Sequence, residues 1–385
     1  MHKKIVVFGA GATGRGHVGL LAWQAGFEIV FVDTKPDLVA RLQQSGRYKV
    51  RLYGEECQEI EVSGFRVYHA RDRQAIAEEI AGAALVLTAV FDQNLPDVAQ
   101  TLALAAATCQ ARGRRTPLNC IACENMMDSS SALGSHVRSQ LRGDALAYAG
   151  QYFGFPDCMI SRIVPRPEPD PLVIVAEDYN EWTARAEAFK GEKPPELTAL
   201  ELVDNQAARL ERKLFIHNGG HAVCGYMGFH RRHRYIHEAV ADPTVAAHVM
   251  GALDELGEVV RRKHGFSVES IAEYKADLAR RGTVAAVRDE ILRVVRDPIR
   301  KLSSRERLVA PALLAVEYGL PRGWIVRGHR RRAQVPASGD PQSLALAEKL
   351  ARQGLEPTLQ EVCQIAPGSP LALEIAEAWR TWDLP

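Results

Sequence analysis

The sequence lacks an excess of charge of either sign, and it lacks any apolar run long enough to span a membrane. Its 48 Lys and Arg residues nearly balance its 47 Asp and Glu residues, so the formal net charge is +1. A charge this small produces no long-range field that would attract nucleic acid or an anionic membrane. We therefore expect neither of these partners, and we expect the ligand to be a small molecule.

Cysteines are also few, and their number and spacing argue against a disulfide framework. Seven of them are scattered over 385 residues, whereas disulfide-rich domains are short and usually carry an even number. Cys120 and Cys123 form a C-x-x-C motif, but no second pair stands at zinc-binding spacing. Because NCIACEN alternates as a strand does, we expect both thiols to be buried and reduced, with no metal bound.

The N-terminal sequence MHKKIVVFGAG contains an apolar run that is too short for a signal peptide and is soon interrupted by glycine. With 46% hydrophobic and 25% charged residues, the composition is that of an ordinary globular protein. These features together predict a cytoplasmic protein.

The first half of the chain alternates between strand-like and helix-like patterns. Apolar runs at residues 4–9, 28–33, 84–90 and 117–123 are separated by helical stretches such as residues 14–26. Repeated β-α-β units of this kind predict an α/β fold with a Rossmann-type, doubly wound parallel sheet.

The remaining segments suggest additions to this sheet and a second domain. Residues 49–70 alternate and contain turn signals, which predicts extra strands or a hairpin, and residues 171–178 read as a further strand. The sequence KGEKPPEL at 190–197 has the composition of a connector. We expect a dinucleotide-binding domain at residues 1–192 and a mainly α-helical domain at residues 193–385, since 385 residues exceed one ordinary core.

A glycine-rich motif follows the first predicted strand directly. Gly9, Gly11 and Gly14 match G-x-G-x-x-G where a helix begins, and such glycines allow a tight turn, close approach of a pyrophosphate, and close packing of helix on strand. Asp33 ends the second strand, where a carboxylate binds ribose hydroxyls and repels a 2′-phosphate. The pattern favours NAD as the cofactor, although nearby Lys35 leaves NADP open.

A second concentration of polar residues lies at KLFIHNGGHAVCGYMG, residues 213–228. At 100° per residue, one broad face of an α-helix carries Lys213, His217, Asn218 and His221. A lysine whose pKa is lowered by burial or by a nearby positive charge can accept an alcohol proton, and an asparagine can donate to the alkoxide. A surface lysine with ordinary core or surface histidines remains the alternative.

Two glycines interrupt this predicted helix. Gly219 and Gly220 each cost a helix about 1 kcal/mol relative to alanine. We expect them to provide a bare surface that a flat ligand approaches.

The spacing K-x-x-x-x-N-x-x-H of Lys213, Asn218 and His221 resembles the signature of the polyol-specific long-chain dehydrogenases. The surrounding ERKLFIHNGGHA is most similar to the mannitol-1-phosphate 5-dehydrogenases within that family. The stretches GAGATGRG, PLNCIACENM, SRIVP, DPIRKLSSRERL and EYGLP recur in similar form and order. The resemblance runs from residue 5 to the C-terminal helices.

This resemblance implies roles for individual residues. Lys213 would be the general acid/base, Asn125 and Asn218 would hold the alkoxide oxygen, and His221 would bind a substrate hydroxyl. Asn125 follows a predicted strand, at the carboxyl end of the sheet where such folds bind ligands. A strand-end cap is the alternative role for Asn125.

The resemblance also implies a substrate-binding basic pair, Arg293 and Lys301. Arg300, Arg305 and Arg307 add guanidinium groups suited to phosphate, and all of these side chains could equally be ordinary surface charges. Another basic run, RGHRRRAQVP at residues 327–336, we interpret as a solvated loop.

The sequence departs from the family pattern at three places. Ser161 stands where the family usually has an aspartate that contacts substrate hydroxyls, Ala12 replaces an asparagine, and HNGGH replaces a more usual LNTGH. Fold, cofactor and hydride chemistry tolerate these changes, whereas the identity of the polyol becomes less certain.

The resulting prediction is a metal-independent, NAD-dependent oxidoreductase, a monomer or small homo-oligomer, that interconverts a sugar-alcohol phosphate and a ketose phosphate. Mannitol 1-phosphate and fructose 6-phosphate are the first pair to test. An enzyme acting on an unphosphorylated polyol or a sugar acid, and an NAD-binding sensor with little turnover, are the alternatives.

Overall fold

The computed structural model describes residues 3–165, 168–333 and 340–381. The chain divides between Leu210 and Glu211 into two compact units. The first carries the strands and the second is helical, which confirms the predicted fold class.

The first unit contains three sheets. Its strands are β1 (Lys4–Phe8), β2 (Glu28–Asp33), β3 (Arg47–Tyr53), β4 (Cys57–Ser63), β5 (Arg66–His69), β6 (Leu85–Thr88), β7 (Leu118–Ala122), β8 (Phe153–Gly154), β9 (Cys158–Ser161), β10 (Val173–Glu177), β11 (Glu181–Arg185) and β12 (Glu201–Val203). The main sheet has the order β5-β2-β1-β6-β7-β8, and every neighbouring pair in it is parallel. From β1 the chain builds the sheet first to one side and then to the other, as in a doubly wound fold.

Helices cover this sheet, which is why its central strands are apolar along their whole length and not only at alternate positions. They are α1 (Gly19–Gln24), α2 (Pro36–Ser45), α3 (Arg73–Ala81), α4 (Leu95–Ala111), α5 (Ser129–Gln140) and α6 (Gly143–Tyr152). The helix predicted at residues 14–26 begins with a π-helical turn, Gly14–Val18, and continues as α1.

The smaller sheets contain the additional strands predicted from the sequence. β3 and β4 form an antiparallel hairpin, and β10 pairs in parallel with β3. β11 pairs antiparallel with β9 and parallel with β12. The first unit therefore extends beyond the boundary placed after residue 192, because β12 still belongs to one of its sheets.

The second unit is built from helices, the first of which begins in the first unit. They are α7 (Gln206–Arg212), α8 (Asn218–His230), α9 (Ile236–Ala241), α10 (Pro243–His264), α11 (Val268–Gly282), α12 (Ile291–Val295), α13 (Pro298–Lys301), α14 (Val309–Tyr318), α15 (Gly323–Ala333), α16 (Pro341–Gln353), α17 (Leu355–Thr358) and α18 (Pro370–Thr381). α8 contacts α9, α10, α12 and α15, and its apolar side chains lie in the core.

The basic run at residues 327–336 is not a loop over its described part, because residues 327–333 lie in α15. The buried carboxyl group of Glu255 accepts the backbone N–H groups of Trp324 and Ile325 and so caps the start of this helix. Residues 334–336 lie outside the described residues. None of the described helices is both long and apolar enough to cross a membrane.

Candidate active site

The glycine motif forms a tight turn at the carboxyl end of β1. Gly9 has a φ of +93°, and a Cβ atom there would lie 2.2 Å from the carbonyl oxygen of Ala89. A Cβ atom on Gly14 would lie 1.8 Å from the carbonyl oxygen of Gly9, whereas one on Gly11 would meet open space. Gly9 and Gly14 are therefore required by packing, and Gly11 leaves backbone accessible to a ligand.

Asp33 supports the same turn from the end of β2. Its carboxylate accepts the backbone N–H of Ala10 at 2.8 Å and that of Lys35 at 2.9 Å, and the residue is only partly buried. An open backbone, an adjoining helix start and an accessible carboxylate at one sheet edge suit the phosphates and ribose of a dinucleotide.

Two other predicted residues of the first unit lie at strand ends. Asn125 is exposed, three residues beyond the end of β7. Ser161 ends β9 and is 2% exposed, and within the described part of the chain its hydroxyl has no hydrogen-bond partner. The site residues of this unit thus include one exposed amide and one buried hydroxyl.

The C-x-x-C pair is structural. Cys120 lies in β7 and Cys123 just follows it; both are buried free thiols, and burial raises the pKa of each. Over the described ranges, no group of three or more His, Cys, Asp or Glu side chains is arranged to hold a metal ion.

In the second unit, the segment that begins with Lys213 is not a regular α-helix. Lys213–His217 forms a π-helical turn, and the backbone N–H of Asn218 donates to the carbonyl of Lys213. Because a π turn holds more residues than an α turn, the α-helical wheel misplaces side chains across it. Lys213, Asn218 and His221 are partly exposed, whereas His217 is 9% exposed with its ring centroid 6.0 Å from that of His221.

The glycine pair does not present a bare surface to a ligand, so that expectation is wrong. Both residues are buried. A Cβ atom on Gly220 would lie 2.5 Å from Leu253 Cδ2, and one on Gly219 would lie 2.9 Å from Leu256 Cδ1. The glycines instead let α10 approach α8 closely.

His221 is held by a carboxylate that sequence reasoning missed. Its Nε2 lies 2.9 Å from Oδ2 of Asp289, and Oδ1 of Asp289 accepts Nε and an Nη group of Arg293 at 2.8 and 2.5 Å. Burial of Asp289 would raise the pKa of its carboxyl group, but His221 and Arg293 outweigh burial and lower that pKa from 3.8 to about 2. The only signal for this carboxylate in the sequence was its spacing from Arg293, since Asp289 lies four residues before that arginine and just before α12.

The predicted basic residues separate into two groups. Arg293 joins His221 through Asp289, and Lys301 is 7% exposed and donates Nζ to the carbonyl of Val294, also in α12, at 2.8 Å. Arg300 is about half exposed and pairs with Glu306 at 3.1 Å. The structure therefore connects Arg293 and Lys301 to one short helix and places Arg300 in a surface ion pair.

The comparisons with known proteins agree with this fold. A Rossmann-type sheet with a glycine turn, followed by a helical unit, is an architecture found among dehydrogenases. The family model of the mannitol dehydrogenase Rossmann domain matches residues 3–197, and that of the mannitol dehydrogenase C-terminal domain matches residues 207–329. The chain belongs to the mannitol dehydrogenase family, which confirms the resemblance seen in the sequence.

Solved structures share the fold at low identity. Mannitol 2-dehydrogenase of Pseudomonas fluorescens, in a ternary complex with NAD and D-mannitol, is 17% identical with a TM-score of 0.77, covering 98% of this chain and 90% of its own. A substrate-free D-sorbitol dehydrogenase is 16% identical with a TM-score of 0.79, covering 99% and 93%. The 2-dehydropantoate 2-reductase of Geobacter metallireducens is 12% identical with a TM-score of 0.53, covering 86% and 99%.

The role of the glycine pair is testable by adding one methyl group. Gly220→Ala should lower the free energy of unfolding by about 1–3 kcal/mol, because its Cβ atom collides with Leu253. In the control Gly282→Ala, at the end of α11, the new Cβ atom would lie 3.5 Å from Val240, so stability should be unchanged or slightly higher. Urea unfolding measures both; equal stability of the two variants would contradict the packing role.

The Asp289 carboxylate should stabilise the fold in a pH-dependent way. Its folded-state pKa of about 2 lies below its ordinary value of 3.8, so its contribution is complete above pH 4 and is lost as the pH falls toward 2. Asp289→Asn should cost roughly 2 kcal/mol at pH 7 and progressively less below pH 4. Urea titrations at several pH values test this, with the exposed Asp254→Asn as the control; a cost independent of pH would exclude the electrostatic explanation.

Proposed function

We propose that the chain is an NAD-dependent dehydrogenase that interconverts the secondary alcohol of a sugar-alcohol phosphate and the corresponding ketone, with mannitol 1-phosphate and fructose 6-phosphate as the best candidate pair. The observation that carries the proposal is the partly exposed set Lys213, Asn218 and His221, in which His221 is fixed by a buried carboxylate. Polar groups held in one orientation beside an accessible lysine are suited to bind and deprotonate a hydroxyl.

In the oxidative direction, Lys213 accepts the proton of the reacting hydroxyl. Asn218 donates a hydrogen bond to the oxygen as negative charge develops on it, and His221 orients a neighbouring hydroxyl. The family resemblance implies the same donor role for Asn125. When bound, NAD supplies the nicotinamide carbon that takes the hydride. Carbon loses hydride, oxygen loses a proton, and the product is the ketone.

Positive charge around His217 supports a phosphorylated substrate. Burial lowers the pKa of His217 well below its usual value of 6.5, and the positive charges of Arg281, His221, Lys213 and Arg307 lower it further. Such a concentration of cationic side chains is favourable only when anions balance it. Asp289, Glu306 and Asp277 supply part of that balance by pairing with His221, Arg307 and Arg281, and a substrate phosphate would add to it.

The side chain of Arg307 is suited to contribute to such a phosphate site. It is 8% exposed, and its Nε donates to Glu306 at 2.9 Å. A guanidinium carries five N–H donors, so one carboxylate contact leaves capacity for an anion. Arg293 and Lys301, the pair that the family resemblance assigns to the substrate, and Arg300 carry further N–H donors on α12 and α13.

NAD is the cofactor, and Asp33 sets the preference over NADP. The P. fluorescens mannitol 2-dehydrogenase was solved with NAD and D-mannitol, which supports the same cofactor here. We propose further that no metal is required and that the enzyme is a cytoplasmic monomer or small homo-oligomer.

An enzyme for an unphosphorylated polyol is the second candidate. It is supported by the family name, by the mannitol and sorbitol enzymes that share the fold, and by Ser161, whose buried hydroxyl differs from the carboxylate expected in the family. A sugar acid is a further variant of this candidate.

A substrate panel with NADH separates these functions. We expect fructose 6-phosphate to be reduced with a kcat/KM roughly 10²-fold or more above that of fructose, because phosphate pairs with buried cations. A preference for fructose or a keto acid would establish the second candidate, and tight NADH binding without turnover of any ketone would indicate a sensor. Activity after exhaustive chelation should be unchanged.

Lys213→Ala tests the proton acceptor. It should leave NADH binding nearly unchanged while kcat falls by roughly 10²–10⁴, the usual contribution of a positioned acid/base. Small primary amines should restore part of the activity. Lys263→Ala, which removes a lysine paired with Glu211, is the matched control and should retain kcat; near-normal turnover of Lys213→Ala would mean that the proton leaves by another route.

Asp33→Asn tests cofactor choice. The amide keeps an oxygen for the N–H of Ala10 but removes the charge that repels a 2′-phosphate. The ratio of the Kd for NADPH to that for NADH should therefore fall by roughly tenfold or more. Titrations with both cofactors measure this ratio. An equal loss of both affinities would show that Asp33 only supports the turn.

A further inference from the structure

The chain segment after β6 packs directly against the glycine turn. β1 and β6 are parallel neighbours with Phe8 opposite Thr88, and the backbone N–H of Ala89 donates to the carbonyl of Phe8 at 2.7 Å. A Cβ atom on Gly9 would lie 2.2 Å from Ala89 O and 3.2 Å from Val90 Cγ1. Whatever the turn binds therefore lies beside residues 89–91.

Phe91 combines an unfavourable backbone with an exposed ring. Its φ and ψ are 69° and 148°, a region of backbone space that is essentially restricted to glycine and costs about 1–3 kcal/mol for other residues. Its side chain is 72% exposed, the highest value among the large hydrophobic residues for which exposure is described. Burial within the chain therefore does not compensate for the strain.

Glu124 maintains this conformation. The residue is 8% exposed, and its carboxyl group accepts the hydroxyl of Thr88 at 2.7 Å and the backbone N–H groups of Val90 and Phe91 at 2.8 and 2.9 Å. Three hydrogen bonds to one buried acceptor fix the chain as it leaves β6. The direction of the Cα–Cβ bond of Phe91 is consequently determined by the fold.

The position of this ring in the sheet indicates its partner. β1 and β6 are the two strands between which the chain changes its direction of winding, and ligands of doubly wound sheets bind in the crevice at the carboxyl ends of such strands. We infer that Phe91 is a cofactor-contacting residue, whose ring packs against a ring of the dinucleotide bound on the Gly9–Gly14 turn. Aromatic rings stack favourably, and the contact would compensate for the strained backbone.

Three variants test the contact, which rests on the proposed cofactor but not on the proposed substrate. Phe91→Ala removes the ring and keeps an unfavourable backbone, whereas Phe91→Gly removes both. We expect the Kd for NADH, measured without substrate, to rise about tenfold in each variant. The Tm without ligand should rise in Phe91→Gly only. Leu146→Ala in α6, which truncates another exposed apolar side chain, should leave the Kd unchanged.

The outcomes are distinguishable. An unchanged Kd in both Phe91 variants would overturn the inference and leave the proposed function standing. A rise confined to Phe91→Gly would assign the effect to backbone flexibility and also overturn it. Failure of the unmodified protein to bind NADH would refute the proposed cofactor and this contact together.

Discussion

The close packing of α10 on α8 is the constraint on which the polar residues of the second unit depend. Two adjacent glycines weaken a helix in isolation, and here they let Leu253 and Leu256 approach the helix backbone. Lys213, Asn218 and His221 lie on the π turn and first turn of this helix. Because α10 prevents α8 from shifting, the backbone that carries these side chains is held in place. The contacts with α10 also compensate for the low helix propensity of the two glycines.

Charge balance is a second constraint on the side chains of this helix. Asp289 neutralises part of the local positive charge by accepting both His221 and Arg293, while His217 remains among cationic neighbours in a buried position. Buried charge without balance is costly. Glu306 pairs with Arg307 and Asp277 pairs with Arg281, so carboxylates offset part of the positive charge around His217.

Sequence reasoning predicted most of the first unit because its information is local. Apolar runs, the glycine motif and Asp33 each lie within one β-α-β unit, and the additional strands follow from alternation. Contacts between distant segments were missed. Asp289 lies 68 residues from His221, β12 returns to a sheet after a connector, and the partners of the glycine pair are leucines of another helix. The helical state of the basic run was missed because it depends on capping by Glu255, a residue of another helix. The π turn was missed because a period of 100° per residue assumes a regular α-helix.

Each of the two units contains a buried carboxyl group that accepts several hydrogen bonds. Glu124 in the first and Asp289 in the second are buried carboxyl groups that each accept three hydrogen bonds, Glu124 from residues 88–91 and Asp289 from α8 and α12. A buried acceptor left unsatisfied costs several kcal/mol, so the segments around it must adopt the geometry that satisfies it. At these points the chain leaves regular structure, after β6 and before α12, where backbone hydrogen bonds alone fix little. Carboxyl groups that collect donors there hold the chain at the ends of these elements in one geometry, which is what a site built at element ends requires.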